Sequence, residues 1–432
     1  MSFMFKPYPY DDLSAINSPK FDKSIIDSIS CGMKETVEYL YTLIDEKLKS
    51  NANKCVIAID GYSGVEFEQL IKDIQEKYMG NAKFKLYGTY DLFKPASVLE
   101  QELEQYLPQD RAKDPVLLFG SLYKGGYEGL FDNAKIQSLK EELENFKEND
   151  NENSKRIFII YGYGCLIKQL RSYYDIKVYI DMTPLRVIWK VRKDSYKNIG
   201  DDGSYNRPLK EKLRRCYYID FECALKLRKE LWKENVPDLY IVGDGTCVIK
   251  TEIDGYDKVN EMRAMPWSTF CQIMSTLVKY PFRCKPVYLE GVWGGTYIKR
   301  LRHLPEGMEN CAWVFDLIPM EVSILVDVEK TLIDFPFYSF VQKEGEAMMG
   351  KECVEKFGGY FPIRFNYDDT FHGSGNMSIQ VHPDEEYIKK NFNEHGRQDE
   401  SYYVVVAGHG AKTYLGFKND ANFEEFISEI KE

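Results

Sequence analysis

Near the carboxyl end of this chain, Ser378-Ile-Gln-Val-His-Pro-Asp384 sets a side-chain amide, Gln380, two residues before an imidazole, His382. The segment reads as a strand. Alternate residues of a strand share a face, so the two groups are expected to point the same way. Further on, Gln398-Asp-Glu-Ser-Tyr-Tyr-Val-Val-Val406 puts Glu400 at the start of a second expected strand. An amide oxygen, an imidazole nitrogen and a carboxylate brought together suit one zinc or similar divalent ion. Gln380 is the poorest donor of the three, and its case rests on sharing a face with His382. A lone histidine on a strand is usually a packed or surface residue. Here the amide two residues earlier and the acidic run at 384–386 favour a ligand. His372, in Phe371-His-Gly373, reads as a loop residue before a substitute ligand, and His409, in Gly408-His-Gly410, reads as part of a turn.

The 378–384 segment resembles the zinc-binding signature of the type I mannose-6-phosphate isomerases. Val292-Trp-Gly-Gly295 matches the tryptophan–glycine segment near the start of that family's catalytic domain. The resemblance covers about the last third of the chain. It implies a cupin fold, a small β-barrel, and interconversion of mannose 6-phosphate and fructose 6-phosphate through an enediol. By position, Gln380, His382 and Glu400 match three of the family's four metal ligands. Zinc would polarise the substrate oxygens and a side-chain base would carry the proton. No residue of the sequence identifies that base.

Three departures qualify the resemblance. Asn366 stands where the family carries an active-site lysine, and Gln398 replaces a second lysine two residues before the glutamate. Arg364 and Arg397 are the candidates for the missing positive charge at the phosphate, although a guanidinium does not simply replace an ammonium. The family's fourth ligand, a histidine in a later strand, has no counterpart before Glu432. The barrel is therefore expected to be incomplete, as in a truncated product or an enzyme completed by a second polypeptide. Three ligands and a water remain sufficient for zinc.

The elements that must position these groups follow from the rest of the chain. With 432 residues, two or three domains are expected. A formal charge of −11 argues against nucleic acid as a partner, because backbone binding needs clustered Lys and Arg. Ten cysteines without a Cys-x-x-Cys pair read as reduced thiols of a cytoplasmic protein. Neither a secretion signal nor a membrane-length apolar run is present, so a soluble protein is expected.

Residues 1–53 read as a polar arm followed by helix, with apolar side chains at 37, 40, 43 and 44. From residue 54 to 280, apolar runs at 56–59, 83–87, 116–119, 157–161, 177–180 and 239–242 alternate with helical patterns, as in a parallel α/β sheet. Polar loops are expected at 149–155 and 194–206, the second mobile. A last helix is expected near 269–279, and short strands of a barrel or sandwich over 281–432, which the isomerase resemblance makes a cupin-type jelly roll.

Cys55-Val-Ile-Ala-Ile-Asp-Gly-Tyr-Ser-Gly-Val65 is a strand running into a turn that carries Gly61, Ser63 and Gly64. It resembles the phosphate-binding loop of uridine-kinase-like P-loop proteins. In the working motif, G-x-x-x-x-G-K-[ST], the lysine reaches the β and γ phosphates and the hydroxyl binds magnesium. Counted from Gly61, those three final positions are Glu66, Phe67 and Glu68. Losing the cation and gaining two carboxylates removes tight triphosphate binding. Thr89-Tyr-Asp91 and Asp114-Pro-Val116 echo later segments of the same kinases. The other reading is an unrelated α/β domain with a glycine turn. The glycines of Tyr161-Gly-Tyr-Gly164 are expected to serve backbone geometry rather than an anion.

The leading expectation is a zinc-dependent sugar-phosphate isomerase carrying a degenerate kinase-like domain. The alternatives are a decayed sugar-phosphate- or metal-binding regulatory protein and, last, an active nucleotide or nucleoside kinase.

Overall fold

The computed structural model describes residues 16–148, 154–245, 261–279, 281–317, 320–373 and 376–431. Most of the expected amino-terminal arm and most of the 149–155 loop lie outside them. Twelve strands are described: β1 (Ser30–Cys31), β2 (Lys54–Gly61), β3 (Ala82–Gly88), β4 (Lys155–Tyr161), β5 (Ile176–Asp181), β6 (Leu239–Val242), β7 (Arg263–Pro266), β8 (Val287–Leu289), β9 (Trp313–Leu317), β10 (Ser323–Val328), β11 (Thr331–Pro336) and β12 (Phe365–Asp368).

The first seven form one sheet in the order β1-β7-β6-β5-β2-β4-β3. β3, β4, β2, β5 and β6 run parallel, while β7 pairs antiparallel with β6 and β1 with β7. Such strands read as continuous apolar runs because helices cover both faces. Val56, Ile57, Ala58 and Ile59 of β2 are accordingly all buried. The chain leaves β2 toward β3 and leaves β5 toward β6. The adjacent ends of β2 and β5 are therefore the switch point, where open α/β sheets gather ligands. The helix Gly32–Ser50 lays Val37, Leu40, Ile44 and Leu48 into the core, and Trp267–Leu277 forms the expected last helix.

The apolar run at 116–119 is not a strand. Leu117 has φ 51°, which breaks an extended run, and Asp114 Oδ2 accepts the Phe119 N–H at 2.7 Å. The Arg214 guanidinium donates to the Phe119 carbonyl. Side chains and a turn therefore take the backbone groups a sheet neighbour would have used. The 194–206 segment is pinned instead of loose: Tyr196, Asn198 and Ile199 are buried, and Tyr196 Oη and Asn198 Nδ2 donate to Asp220 Oδ2 at 2.8 and 2.7 Å.

Beyond residue 281 the described strands make a three-stranded antiparallel sheet, β12-β9-β8, and the β10–β11 hairpin. The hairpin turns on Glu329 and Lys330, both at positive φ, the conformation that matches the twist of the flanking strands. A closed jelly roll is not what these strands form. The strands expected at 378–382 and 398–406 are absent from the fold, and no residue from 376 to 384 or from 393 to 422 is in a helix or strand. Ile379 and Val381 are each 82% exposed. Alternation makes a segment competent to be a strand, but strand formation needs an edge to pair with and a face to bury.

The chain divides into two compact units, residues 1–397 and 398–432. The expected boundary near 280 falls inside the first. Its core runs on through Val287, Ile324, Phe335, Phe340 and Phe361. The second unit includes the helix Phe423–Lys431.

Candidate functional site

The switch point is built from the ends of β2 and β5 and the turns that follow. Gly61 closes β2, and the turn 62–67 leads into the helix Glu68–Lys77. A strand, a glycine turn and a helix at the switch point of a doubly wound sheet is the arrangement of P-loop kinases, which the amino-terminal region resembles. The contacts of the turn differ from those of a phosphate cradle. Gly61 N–H donates to Asp60 Oδ1 at 2.7 Å, Tyr62 N–H to the Ile180 carbonyl, and Gly64 N–H to Tyr163 Oη at 3.0 Å. Glu66 N–H donates to Asp244 Oδ2 at 3.1 Å and Phe67 N–H to Glu68 Oε2 at 3.1 Å. Ser63 Oγ donates to the Asp220 carbonyl.

Phe67, at the lysine position of the motif, is fully buried, with its ring edge-on to Tyr163 at 5.6 Å and tilted against Tyr161 at 6.4 Å. A cation nevertheless reaches the turn, from another element. Lys190, on the helix Pro184–Arg192, places Nζ 2.8 Å from the Gly64 carbonyl, 2.9 Å from Glu66 Oε1 and 2.7 Å from Asp244 Oδ2. The sequence motif holds no signal for Lys190 or Asp244, because their roles come from tertiary approach.

At the end of β5, Asp181 is wholly buried and accepts from Arg228 Nη1 at 2.7 Å, Tyr240 Oη at 2.9 Å, the Met182 N–H at 3.0 Å and the Ser339 hydroxyl. Arg228 is as deeply buried, lies over the Tyr62 ring and donates Nε to Gln342 Oε1. Ser339 and Gln342 belong to the helix Phe337–Met349. The later half of the chain therefore fills this side of the switch point. An aspartate ending a largely apolar strand was the available sequence signal for this pair.

The glycines of Tyr161-Gly-Tyr-Gly164 adopt positive φ, as expected. Their turn also holds a carboxylate of the chain itself: Gly164 N–H and Leu166 N–H donate to Asp60 at 3.0 and 2.7 Å. Burial pushes the Asp60 carboxyl up to about 7 against the pull of these N–H groups. Thr89 is buried and donates to the Tyr163 carbonyl, whereas Asp91 and Asp114 are not in the crevice contacts.

A second titratable cluster was not legible in the sequence. Glu222 on the helix Phe221–Glu234 lies 3.8 Å from Lys124, with Glu394 near both. The link between Leu122 N–H and the Phe392 carbonyl, at 2.8 Å, brings the 392–395 segment here. His395 stacks on Tyr360 at 4.7 Å, and burial with Lys124 and Lys229 lowers it to about 4. Arg364 donates to Tyr360 Oη at 3.5 Å and faces the carboxylates Glu394 and Glu321, which already oppose its charge.

Burial pushes the Glu222 carboxyl up to about 7; Lys124 opposes the shift and Glu394 adds to it. Against an unfolded value of about 4.3, the folded state binds the proton more tightly. The stability this group contributes is thus complete below about pH 4 and lost as pH rises through about 7. Asp60 shares the window. Glu222→Gln is expected to shrink the loss of unfolding free energy between pH 5 and pH 8, measured by urea titration. An unchanged difference between the two pH values would refute the assignment.

The residues expected to hold zinc are placed as follows. Gln380 and His382 are both exposed in non-strand backbone, and Glu400, in the 398–432 unit, is exposed and accepts from Tyr402 Oη at 2.5 Å. Among the described residues no group of three His, Cys, Asp or Glu side chains is arranged to hold a metal ion. His372, at φ 62°, and His409 are exposed loop residues. Asn366 donates to Asp368 Oδ1 at 2.7 Å on β12, and Gln398 and Arg397 are exposed.

The Trp-Gly-Gly segment packs against residues 369–373. Gly295 N–H donates to the Asp369 carbonyl at 2.6 Å, Thr296 N–H to the Phe371 carbonyl at 3.1 Å, and Ile298 N–H to Asp369 Oδ2 at 2.8 Å. Trp293 is buried edge-on to Trp313 at 4.5 Å. A Cβ on Gly373 would stand 2.4 Å from the Trp293 carbonyl, so only glycine allows this approach.

A family model described as a domain of unknown function (DUF8485) matches residues 40–243. No curated protein matches the chain. Among solved structures, it is similar to phosphoribulokinase from Rhodobacter spheroides, at 11% identity over 53% of this chain and 97% of that one, with a TM-score of 0.31. It is also similar to D-glycerate 3-kinase from Cryptococcus neoformans var. grubii, at 13% identity over 48% and 95%, with a TM-score of 0.28. No helix among the described residues is long and apolar enough to cross a membrane.

Proposed function

We propose that this chain is a sugar-phosphate aldose–ketose isomerase of the mannose 6-phosphate type, whose P-loop-like half holds no nucleoside triphosphate. The observation that carries the isomerase part is the convergence of Val292-Trp-Gly-Gly295 with 369–373, the segment that runs on to Gln380 and His382. Val292–Gly295 is one of the stretches on which the resemblance rests, and 369–373 precedes the other, 378–384, in the sequence. The second part is supported by the turn after β2, whose N–H groups bond to the chain's own oxygens and whose lysine position is a buried phenylalanine.

The reaction moves a proton between C1 and C2, so a base must lie within hydrogen-bond reach of both carbons. Gln380, His382 and Glu400 are the residues this reading assigns to zinc. The test is interconversion of mannose 6-phosphate and fructose 6-phosphate by the purified chain, with added zinc and with a chelator. Turnover that the chelator abolishes is the expected result. The second reading, a protein that binds sugar phosphate without turnover, is favoured by Asn366 and Gln398 at the two positions where the resembled family carries lysines. Saturable binding of fructose 6-phosphate with no product at any zinc level would establish it instead.

A further inference from the structure

Lys190, Asp244, Gly64 and Tyr163 form one buried cluster over the turn after β2, joined at its rim by Glu66, with Lys190 and Asp244 each more than nine-tenths buried. In it Asp244 Oδ2 takes both a backbone N–H, from Glu66, and an ammonium, from Lys190. Those are the donor types that a phosphate oxygen takes in such a turn. Asp244 follows β6 between Gly243 at φ 80° and Gly245 at φ 77°, two left-handed residues that steer the carboxylate back over the sheet edge. Asp60 fills the neighbouring glycine turn in the same way, accepting from Gly164 and Leu166. Both glycine turns at this edge thus hold an internal carboxylate.

We propose that Asp244 is a built-in substitute for phosphate, which keeps the turn after β2 closed over an intact anion site. A phosphate-type anion takes that site only when the carboxylate is removed. The inference rests on the reading of this half as one that holds no nucleotide, and is independent of the isomerase reading. Lys190 supplies the charge. Glu66 is its second carboxylate partner and, being half exposed, turns outward at little cost. The ligand class is inorganic phosphate, pyrophosphate or a phosphate monoester.

The experiment is calorimetric titration of the full chain with inorganic phosphate and with pyrophosphate, for the wild type, Asp244→Ala, and Asp244→Ala combined with Lys190→Met. The wild type is expected to show no saturable binding up to about 10 mM, and Asp244→Ala to bind at least about tenfold more tightly than that limit. The double variant should lose the gain. Should Asp244→Ala fail to fold, Asp244→Asn keeps the shape without the charge, and phosphate should then raise its melting temperature but not that of the wild type. A folded Asp244 variant that ignores both anions overturns the proposal, as does a wild type that binds them equally well. ATP binding by the wild type would instead sink the reading beneath it.

Discussion

Arg228→Met is expected to lower the unfolding free energy by about 3–5 kcal/mol, the cost of leaving one member of a buried pair alone. Arg228 and Asp181 are both fully buried and 2.7 Å apart. The arginine's other contacts, Gln342 Oε1 and the Tyr62 ring, do not replace its charge. Its removal leaves the Asp181 carboxylate with three neutral donors, the Tyr240 and Ser339 hydroxyls and the Met182 N–H. Adding Asp181→Asn removes the stranded charge and keeps an oxygen for those donors. The double variant is therefore expected to be more stable than Arg228→Met alone, a non-additivity of about 1–3 kcal/mol. Guanidinium unfolding of the four proteins measures the cycle. Additive losses, or a single loss below about 1 kcal/mol, would show that the pair does not hold the later helix to the sheet.

Restoring the motif lysine is expected to fail, and at high cost. Phe67→Lys removes a fully buried ring that packs against Tyr161 and Tyr163, a change worth about 3–5 kcal/mol for an aromatic in a core. It also places an ammonium in an aromatic pocket, which adds desolvation cost. No ATP binding should return, because Asp244 and Lys190 occupy the turn. Thermal unfolding and ATP titration of the variant test both statements. A Phe67→Lys protein as stable as the wild type and able to bind ATP would mean that one substitution inactivated the loop.

The Asp181 pair and the Asp244 cluster have a common consequence. Each places at the switch point a group from a distant part of the chain: Ser339 and Gln342 on one side, Lys190 and Asp244 on the other. A crevice open to a ligand in a doubly wound sheet is here closed by the protein itself. The α/β half thus acts as a scaffold on which the later strands are packed, consistent with the single core running from β2 to Phe361.

What the sequence determined by itself was local and periodic. The apolar runs at 56–59, 157–161, 177–180 and 239–242 became parallel strands, because a run buried on both faces leaves few other options, whereas 83–87, expected to be buried, forms the parallel edge strand β3 with no buried residue. The loss of the motif lysine was visible in one residue, Phe67. Tertiary structure decided what depends on partners distant in the chain. Residues 116–119 had a strand's composition but lost their backbone groups to Arg214 and Asp114. Residues 378–382 had a strand's alternation but pair with no described strand, which left Gln380 and His382 on exposed backbone. Lys190, Asp244, Arg228 and Ser339 carry no motif, and only the folded chain brings them to the turn. Composition and spacing encode which segments can be buried. Which charge neutralises which, and which edge finds a neighbour, is settled by the geometry of packing.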